Sequence, residues 1–437
     1  MTHTQGEDNM TSEEITLSDV ILDIAAGPFG SNLKVSCFVD DGFPIIDGAN
    51  LKGFKVTDNV TKFVTEEKAR SLHRAIAKRG DVVVTISGTL GQIAYIPEDS
   101  QYEEYLVSQR QFRVTFDESK VCIPYIVYYF HSFEGQHKIL MFANQVGVPA
   151  LAQPLKNFRQ IKMNLPPLDV QRRIAAVLKP LDDKIELNAR INARLERVAQ
   201  TLFKRHFVRF EPYGGTMPPG WRVGTLSEIA EFVGGYSYKS SELKESNTAM
   251  ATIKNFDRKG GFKLDGFKEL VPSAKIKQSQ YAELFDTFVA HTDLTQNAEV
   301  VGNAEMLMSK AGYERIAFSM DLVKVVPKTP DISKFTIAAL LRNSRFKAHC
   351  LHYVNGTTVL HLNKKALPEY KIALPKDLSE LRQFNELITP IYKMIAYNID
   401  ESRTLARLRD VLLPRLMSGA VDVGQVRLNT IQEGGSR

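Results

Sequence analysis

The order of apolar and polar residues along the chain predicts two kinds of segment. Short apolar runs rich in β-branched residues occur at residues 80–86, 113–116 and 322–326, and such runs are typical of buried strands. Longer apolar stretches at residues 123–133 and 337–349 predict helices. Together these segments indicate mixed α/β globular regions.

A helical region begins near Asp169 in the first half of the chain. Its apolar residues recur at helical spacing as far as Phe207, with Pro180 among them. Proline is favoured in the first turn of a helix and disfavoured inside one. The pattern therefore predicts a short helix that ends near Leu178 and a long helix that starts at Pro180. Pro390 holds the equivalent place in a second helical region.

Both helical regions carry a heptad seam, a row of positions that alternate in steps of four and three residues. The first seam consists of Leu181, Ile185, Asn188, Asn192, Leu195, Ala199 and Leu202, and the second of Ile391, Ile395, Asn398, Ser402, Leu405, Arg409 and Leu412. Polar residues occupy matching middle positions, where they cost stability but fix the register of paired helices. The seams predict two long antiparallel helices that form a coiled-coil spacer, with Arg409 at a frayed or solvent-facing edge. A hairpin that only packs on itself is the simpler alternative.

A long internal repeat organises the whole chain. Residues 17–20 recur as residues 226–229, and residues 158–166 recur as residues 367–375, in both cases 209 positions later. Further matches pair Gly27 with Gly234 and Gly235, Gly147 with Gly356, and Leu151 with Leu360. A period of this length indicates two copies of a whole unit rather than a solenoid. The expected fold class is α/β, with two pseudo-symmetric mixed α/β domains separated by the two long antiparallel helices.

The repeat and the seams also predict the boundaries of the domains. A chain of 437 residues is long enough for two or three of them. We expect a flexible N-terminal tail at residues 1–12, a first mixed domain at 13–165, a central helical region at 166–213, a second mixed domain at 214–374, a distal helical region at 375–419 and a C-terminal tail at 420–437.

Composition and charge narrow the class of protein. The longest apolar run, residues 121–130, is much shorter than a membrane-spanning helix. No secretory signal is visible, and the three cysteines have neither a disulfide framework nor a CxxC pair, so we expect a cytoplasmic protein. A net charge of +6 favours a polyanionic partner, although only weakly.

The chain shows no catalytic motif of its own. Its two Pro-Pro pairs lack the flanking residues of an adenine methyltransferase motif, and it has no phosphate-binding GxxxxGK[ST] loop. His349, Cys350, His352 and His361 include soft metal ligands, but they lack standard zinc spacing and have no counterpart in the first copy. We therefore expect packing and surface roles for them, and no catalytic, cofactor-binding or metal-binding residues.

Several motifs resemble the specificity (S) subunit of type I restriction-modification systems. Residues 217–221 (Met-Pro-Pro-Gly-Trp), followed by Leu226 and Gly234-Gly235, resemble the entry into a target-recognition domain of that family. Residues 165–188 resemble the start of its central conserved helix, and residues 412–419 the end of its distal one. Residues 377–380 depart from the usual entry of the distal helix, which leaves only the start of that helix open. The resemblance covers nearly the whole chain.

The resemblance implies a non-catalytic role in a DNA-methylating complex. It implies that each mixed domain is a target-recognition domain that reads one half of a bipartite site in double-stranded DNA. The conserved helices would set the unread gap and dock two modification (adenine methyltransferase) subunits. S-adenosylmethionine would bind in those subunits, and ATP and Mg in a motor-nuclease restriction subunit where one is present.

Polar loops flanked by glycine are the candidates for contact with DNA, because Lys and Arg bind phosphates while Arg, Lys, Asn and Gln read base edges. In the first domain the candidates are Ser31, Asn32, Lys34, Gln109, Arg110, Asn144, Gln145, Lys156 and Arg159. In the second they are Tyr236, Tyr238, Lys239, Lys254, Asn255, Arg258, Thr295, Gln296, Tyr353 and Asn355. Ordinary solvated loops are the alternative interpretation of each group.

Two other functions remain open at this point. One is a stand-alone DNA-modifying enzyme with an unfamiliar site, and the other is a protein-only scaffold whose duplicated domains bind two partners.

Overall fold

The computed structural model describes residues 12–144 and 148–425, without the side chains of Ser31 and Gln425. Its described residues form two compact units. Unit 1 lies within residues Met1–Lys184 and Leu405–Arg437, and unit 2 consists of Ile185–Thr404. Both long helices therefore run from one unit into the other. Most of the expected N-terminal tail and the end of the expected C-terminal tail lie outside the described residues.

The sheets of unit 1 are small and mostly antiparallel. A four-stranded sheet has the order Ile21–Ala26, Gln111–Phe116, Val82–Thr85 and Ile93–Tyr95. A five-stranded sheet has the order Phe38–Val39, Phe63–Val64, Phe43–Ile46, Glu104–Val107 and Ile76–Lys78. Two-stranded sheets pair Glu13–Thr16 with Lys162–Leu165 and Ala143–Asn144 with Ala150–Leu151.

Unit 2 repeats this plan with some differences. One four-stranded sheet has the order Ala230–Gly234, Leu322–Pro327, Thr287–Ala290 and Ala304–Met306, and another Lys268–Glu269, Thr248–Ala251, Arg315–Phe318 and Tyr281–Ala282. A two-stranded sheet pairs Trp221–Thr225 with Lys371–Pro375, and a three-stranded sheet has the order Thr292–Asp293, Leu360–Leu362 and Val354–Asn355.

The register of equivalent strands confirms the repeat. In unit 1 Ile15 pairs with Met163, and in unit 2 Gly224 pairs with Ile372, each residue 209 positions after its counterpart. A helical turn follows in both copies, and its first amide donates to an equivalent carbonyl: Leu17 N to Ile161 O, and Leu226 N to Tyr370 O, both at 2.9 Å. The expected mixed α/β fold with internal pseudo-symmetry is confirmed.

The helices complete the architecture. The α-helices are Glu66–Ser71, Ile123–His131, Phe133–Leu140, Pro154–Arg159, Leu168–Phe207, Leu226–Ile229, Lys334–Leu341, Ser344–Leu351 and Arg382–Met417. Short 3-10 helices occur at Leu17–Asp19, Gly30–Asn32, Val35–Cys37, His73–Ala75, Glu211–Tyr213, Ser240–Glu242, Ile253–Asn255, Leu264–Gly266, Gln278–Gln280, Leu378–Leu381 and Val423–Gln425. No helix among the described residues is both long and apolar enough to span a membrane.

The break predicted at Pro180 was wrong. The central helix (Leu168–Phe207) runs through Pro180 without interruption, and the distal helix (Arg382–Met417) runs through Pro390. A proline inside a helix removes one backbone hydrogen bond and crowds the preceding turn. Burial of the helix face on both sides of the proline offsets this cost: Ile174 and Leu178 lie in the core of unit 1, and Ala199 and Phe203 in that of unit 2.

Two other predicted helices are shorter than expected. The stretch at 337–349 forms two helices, because the side chain of Asn343 accepts hydrogen bonds from the amides of Arg345 and Phe346 and so starts a new helix. The stretch at 123–133 ends at His131, where Ser132 caps the next helix in the same way through Gly135 N.

The two long helices are antiparallel within each unit, as predicted. In unit 2, Asn188 contacts Ser402 while Asn192, one turn later, contacts Ile395. In unit 1, Asp182 contacts Arg409, while Ile174, eight residues earlier, shares a core with Leu416. The remaining seam positions, Leu181, Ile185, Leu195, Leu202, Ile391, Ile395, Asn398, Leu405 and Leu412, are buried or half-buried.

The position expected for Arg409 was wrong. Its side chain is only 19% exposed. The guanidinium donates to Asp182 Oδ1 at 2.7 Å and lies 4.9 Å from the centre of the Phe54 ring. Although burial acts against the charge, Asp182 and Asp410 raise the pKa of Arg409. A charged seam residue is therefore accommodated by an ion pair within unit 1.

Candidate nucleic-acid interface

In unit 1, backbone hydrogen bonds join four loops into one cluster. The loop cluster of unit 1 comprises residues 27–37, 86–92 and 108–111 and the hairpin of residues 143–144 and 148–151. Gly27 N donates to Gln111 O at 2.9 Å, and Ile86 N donates to Arg110 O at 2.6 Å. Leu151 N in turn donates to Ile86 O at 2.8 Å. The main chain of the cluster is therefore held by the sheet beneath it.

Gly27 is required by this arrangement. A side-chain carbon at this position would collide with the carbonyl oxygen of Ser108. Only glycine lets the two main chains approach so closely. The turn of residues 108–111 is closed by a hydrogen bond from Gln111 N to Ser108 O at 3.0 Å, and it presents Gln109 and Arg110 to solvent.

A cavity of about 590 Å³ with a mixed polar and apolar lining adjoins this turn. Arg110 and Gln109 form part of its lining, together with Lys62, whose ammonium pairs with Asp47 at 2.7 Å. The side-chain amide of Gln92, which also lines the cavity, has hydrogen-bond partners within the protein. It donates to Gly48 O at 3.1 Å and accepts from Thr85 Oγ1 at 3.1 Å. The exposed groups of the turn are therefore freer to meet a ligand than those of the cavity floor.

Unit 2 contains an equivalent loop cluster, formed by residues 235–243, 291–303, 319–322 and 353–362. Gly235 N donates to Leu322 O at 3.2 Å, His291 N to Asp321 O at 2.7 Å, and Leu362 N to His291 O at 2.9 Å. A side-chain carbon on Gly235 would collide with Ser319 O, just as one on Gly27 would with Ser108 O. The turn of residues 319–322 is thus the counterpart of the turn of residues 108–111.

The two equivalent turns carry different side chains. Gln109 and Arg110 in unit 1 correspond to Met320 and Asp321 in unit 2. Met320 is 61% exposed, and Leu294 on the adjoining loop is 70% exposed. Sequence reasoning singled out neither side chain, because it looked only for polar groups. Met320 is 211 positions after Gln109, whereas Gly235 is 208 positions after Gly27, so an alignment of the two glycines without a gap would not have found Met320.

Most of the sequence-predicted residues of unit 1 lie on its surface. Asn32, Lys34, Gln109, Arg110, Asn144, Lys156 and Arg159 are exposed, and Ser31 lies in a 3-10 helix. Gln145 lies outside the described residues. Lys156 and Arg159 belong to the short helix that follows the hairpin, so they flank the loop cluster rather than form part of it.

The predicted residues of unit 2 divide into exposed and internally bonded groups. Lys239, Lys254, Arg258, Gln296 and Asn355 are exposed, and Tyr238, Thr295 and Tyr353 are half-buried. Tyr236 and Asn255 are buried. The Tyr236 hydroxyl donates to Glu242 Oε1 at 2.7 Å, and the Asn255 amide donates to Lys263 O at 2.7 Å. Their polar groups hold the surrounding loops, and their contact with DNA stays a prediction.

The loop cluster of unit 2 has a basic flank. His291 is half-buried, and His361 and Lys364 are exposed. Burial lowers the pKa of His291, and the neighbouring His361 and Lys364 lower it further, which disfavours the charged imidazolium. The exposed ammonium of Lys364 is the cationic group that would attract an anionic backbone.

An ion-pair network attaches the sheet of unit 2 to the central helix. The Arg342 guanidinium donates to both carboxylate oxygens of Glu196, at 2.9 and 3.1 Å, and pairs with Glu305 at 3.1 Å. Burial raises the pKa of Glu305, whereas the two carboxylates raise the pKa of Arg342 against the effect of its own burial. The network orients the domain on the helix.

The seam of unit 2 contains a reciprocal polar layer. Asn188 Nδ2 donates to Ser402 Oγ at 3.2 Å, and Asn398 Nδ2 donates to Asn192 Oδ1 at 2.8 Å. These two hydrogen bonds are related by the internal repeat. Asn188 Nδ2 also donates to Glu401 Oε2 at 2.7 Å, whereas the buried Asn188 Oδ1 has no hydrogen-bond partner.

The candidate metal ligands do not converge. His349 Nε2 lies 2.8 Å from Ala366 O, and Cys350 is buried beside Gly302. Among the residues that the structure describes, no group of three or more His, Cys, Asp or Glu side chains is arranged to hold a metal ion.

Comparison with known proteins identifies the family. The model described as "Type I restriction modification DNA specificity domain" matches twice, at residues 13–197 and 218–398. The type I restriction enzyme MjaIX specificity subunit of Methanocaldococcus jannaschii is 22% identical over 386 residues, 83% of this chain and 82% of that one. The HindI specificity subunit of Haemophilus influenzae is 23% identical over 405 residues, 79% of this chain and 87% of that one.

A solved structure shares the fold. The crystal structure of a type I restriction-modification S subunit from M. genitalium aligns with a TM-score of 0.60 at 14% identity, covering 94% of this chain and 98% of that one. The chain belongs to the family of type I restriction-modification specificity subunits, and it contains two target-recognition domains.

Proposed function

We propose that the two loop clusters are the DNA-reading surfaces of this specificity subunit, one for each half of a bipartite site. The observation that carries the proposal is the repeated turn. The same backbone geometry, fixed by Gly27 and by Gly235, presents Gln109 and Arg110 in one unit and Met320 and Asp321 in the other. A shared frame with different side chains suits the reading of two different sequences.

Phosphate contacts come from the basic residues around each cluster. Lys34, Lys156 and Arg159 in unit 1 are exposed, as are Lys239, Lys254 and Lys364 in unit 2. Such contacts supply most of the affinity and position the protein, whereas the turns supply the sequence information.

The outer faces of the long helices are the proposed docking sites for two modification subunits. On the distal helix, exposed apolar residues lie one position before the seam: Met394 and Tyr397 in unit 2, and Leu408 and Val411 in unit 1. The central helix has Leu187 and Val198 at matching positions. Exposed apolar rows at heptad spacing are typical of helices that pair with a partner.

The chemistry of the complex is assigned to those partners. In this proposal the chain itself is non-catalytic and holds no cofactor. S-adenosylmethionine binds in the modification subunits, and ATP and Mg in a motor-nuclease subunit where one is present. The complex acts on DNA in the cytoplasm.

Genome-wide mapping of methylated adenine, with and without this gene, tests the proposal. We expect a split motif that disappears on deletion and returns with the wild-type gene. The chain is also expected to co-purify with its modification subunit. An unchanged methylation pattern despite expression of all subunits would contradict the proposal.

Variants separate the proposed function from its alternatives. Met394→Lys together with Tyr397→Lys should abolish co-purification, whereas Lys393→Glu on the same helix should not. DNA modified or cut by the purified chain alone would favour a stand-alone enzyme. Stable partner complexes that bind no DNA at any salt concentration would favour a protein scaffold.

A further inference from the structure

The loop cluster of unit 2 exposes two large apolar side chains on a rigid frame. Met320 N donates to Tyr236 O at 3.0 Å, and Leu322 N donates to Ser319 O at 2.9 Å, so the main chain is fixed on both sides of Met320. The side chain of Met320 is nevertheless 61% exposed. A large apolar group that is exposed on a held turn, rather than on a frayed loop, is positioned in advance for a contact.

Asp321 fixes this turn against the neighbouring loop through two hydrogen bonds. Its Oδ1 accepts a hydrogen bond from Thr292 Oγ1 at 3.0 Å, and its carbonyl oxygen accepts one from His291 N at 2.7 Å. Asp321, the polar residue at the tip of the turn, is therefore hydrogen-bonded to the loop that contains His291 and Thr292. Met320 remains as the group that the turn presents.

Leu294 repeats this arrangement on the adjoining loop. The neighbouring Asp293 is 2% exposed, and its carboxylate accepts hydrogen bonds from the amides of Thr295, Val300 and Val301 at 2.8, 2.6 and 3.1 Å. The loop is thus wound around a buried carboxylate, while Leu294 is 70% exposed. In both cases an aspartate holds the backbone and an adjacent residue is exposed: Met320 before Asp321, and Leu294 after Asp293.

The chemistry of the major groove supplies one apolar group for such side chains. The four bases present hydrogen-bonding groups there, and thymine alone adds a methyl group, at C5. The exposed ammonium of Lys364, near enough to His291 to lower its pKa, places positive charge beside the same cluster. An apolar contact beside a cationic group is the combination that double-stranded DNA containing thymine would satisfy.

We propose that Met320 and Leu294 read the 5-methyl groups of thymine in the half-site recognised by unit 2. Unit 1 reads its half-site through the guanidinium and amide of Arg110 and Gln109, whereas unit 2 reads at least one A·T pair by apolar contact. The proposal rests on the proposed function, because it takes the loop clusters to be the DNA-reading surfaces.

Deoxyuridine, which is thymine without its methyl group, provides the test. After methylation mapping has given the motif, the complex of the full chain with its modification subunit is titrated with duplexes in which single thymines are replaced by deoxyuridine. The half-site in which Arg110→Ala relaxes the methylated motif is assigned to unit 1. The other half-site is then assigned to unit 2. Loss of one buried methyl group should weaken binding about fourfold at one or two thymines of the unit 2 half-site.

The variants make the test specific. Met320→Ala and Leu294→Ala should bind thymine and deoxyuridine duplexes equally well at the position each residue reads. Val223→Ala removes another exposed apolar side chain of unit 2, on the strand Trp221–Thr225, and should keep the full preference for thymine.

Three results would overturn the inference. The unit 2 half-site could contain no A·T pair, the wild-type complex could tolerate deoxyuridine everywhere in it, or both alanine variants could keep the wild-type preference. Weaker recovery of the modification subunit with unchanged thymine preference would assign the two residues to a protein interface. A complex that binds no DNA at all would instead contradict the proposed function.

Discussion

The tips of the two equivalent turns carry different residues, and the proposed function assigns the two half-sites to this difference. Arg110 is exposed, and its guanidinium has the geometry that binds the O6 and N7 atoms of guanine. Arg110→Ala is expected to cost about 1–3 kcal/mol of binding and to relax the motif at one position of one half-site. Mapping of methylated adenine in cells that carry the variant measures this change.

Lys156 provides the contrast for that experiment. Lys156→Ala should weaken binding at all sequences alike and reduce the slope of log binding constant against log salt by about one. A motif that Arg110→Ala leaves unchanged, or that Lys156→Ala alters, would show that the roles assigned to these residues are wrong.

Gly235 allows a sharp test of the frame beneath the second turn. Gly235→Ala would place a carbon against Ser319 O, whereas the neighbouring Gly234 has open space at the same point. The first substitution should lower the free energy of unfolding by about 1–3 kcal/mol and abolish recognition of one half-site, because the main chain must shift. Gly234→Ala should cost about 0.5 kcal/mol at most. Thermal unfolding and DNA binding distinguish the two, and equal effects would contradict the argument.

The sequence predicted which loops are exposed better than which of their side chains are exposed. The candidates at Gln109, Arg110, Thr295 and Gln296 lie in the two clusters, because polar residues beside glycine predict exposed turns. Tyr236 and Asn255 look equally polar in sequence but are buried, and Met320 looks apolar but is exposed. Burial depends on residues distant in the chain, which a local pattern does not contain.

The long helices show which features of an element a pattern predicts well. The heptad steps predicted the facing positions and the antiparallel pairing, because the seam must be buried along its length. The same reasoning failed at Pro180, where tertiary packing outweighs the local preference, and at Arg409, where Asp182 supplies a charge partner. The intrinsic helix propensity of a residue is a weak guide where packing against another part of the protein determines the local structure.

The polar layer of the seam yields a prediction at this scale. Asn188→Leu should change the stability by less than about 1 kcal/mol, because it removes the amide donor of Ser402 and Glu401 together with a buried amide oxygen that has no partner. Asn192→Leu should instead lower it by about 1–3 kcal/mol, since it removes the acceptor of the Asn398 amide. Chemical denaturation compares the two variants.

The layer should also determine how the helices pair. With Asn188→Leu, size-exclusion chromatography with light scattering is expected to show a larger fraction of oligomers, because an apolar seam specifies register less strictly. Destabilisation by Asn188→Leu as large as that by Asn192→Leu, or a stable Asn192→Leu variant, would show that the layer acts differently.

At the scale of the whole molecule, the internal repeat predicts a spacer function for the paired helices. Insertion of one heptad into both helices keeps the seam in register and adds about 10 Å. The recognised gap should lengthen by about three base pairs while both half-sites stay the same. Methylation mapping reports the gap directly.

A matched insertion provides the control. Four residues added to each helix, instead of seven, rotate the seam out of register and should destabilise the protein. An unchanged gap with the seven-residue insertion would show that the helices do not measure the distance between half-sites.

The order of the chain has a consequence for synthesis on the ribosome. Unit 2 consists of one continuous stretch, Ile185–Thr404, whereas the core of unit 1 needs Leu413, Leu416 and Val423 beside Ile174 and Leu178. The first unit to emerge is therefore the last to be completed. Until residue 423 has left the exit tunnel, the nascent chain carries an uncovered apolar face on the early half of its central helix, and such a face is prone to aggregation.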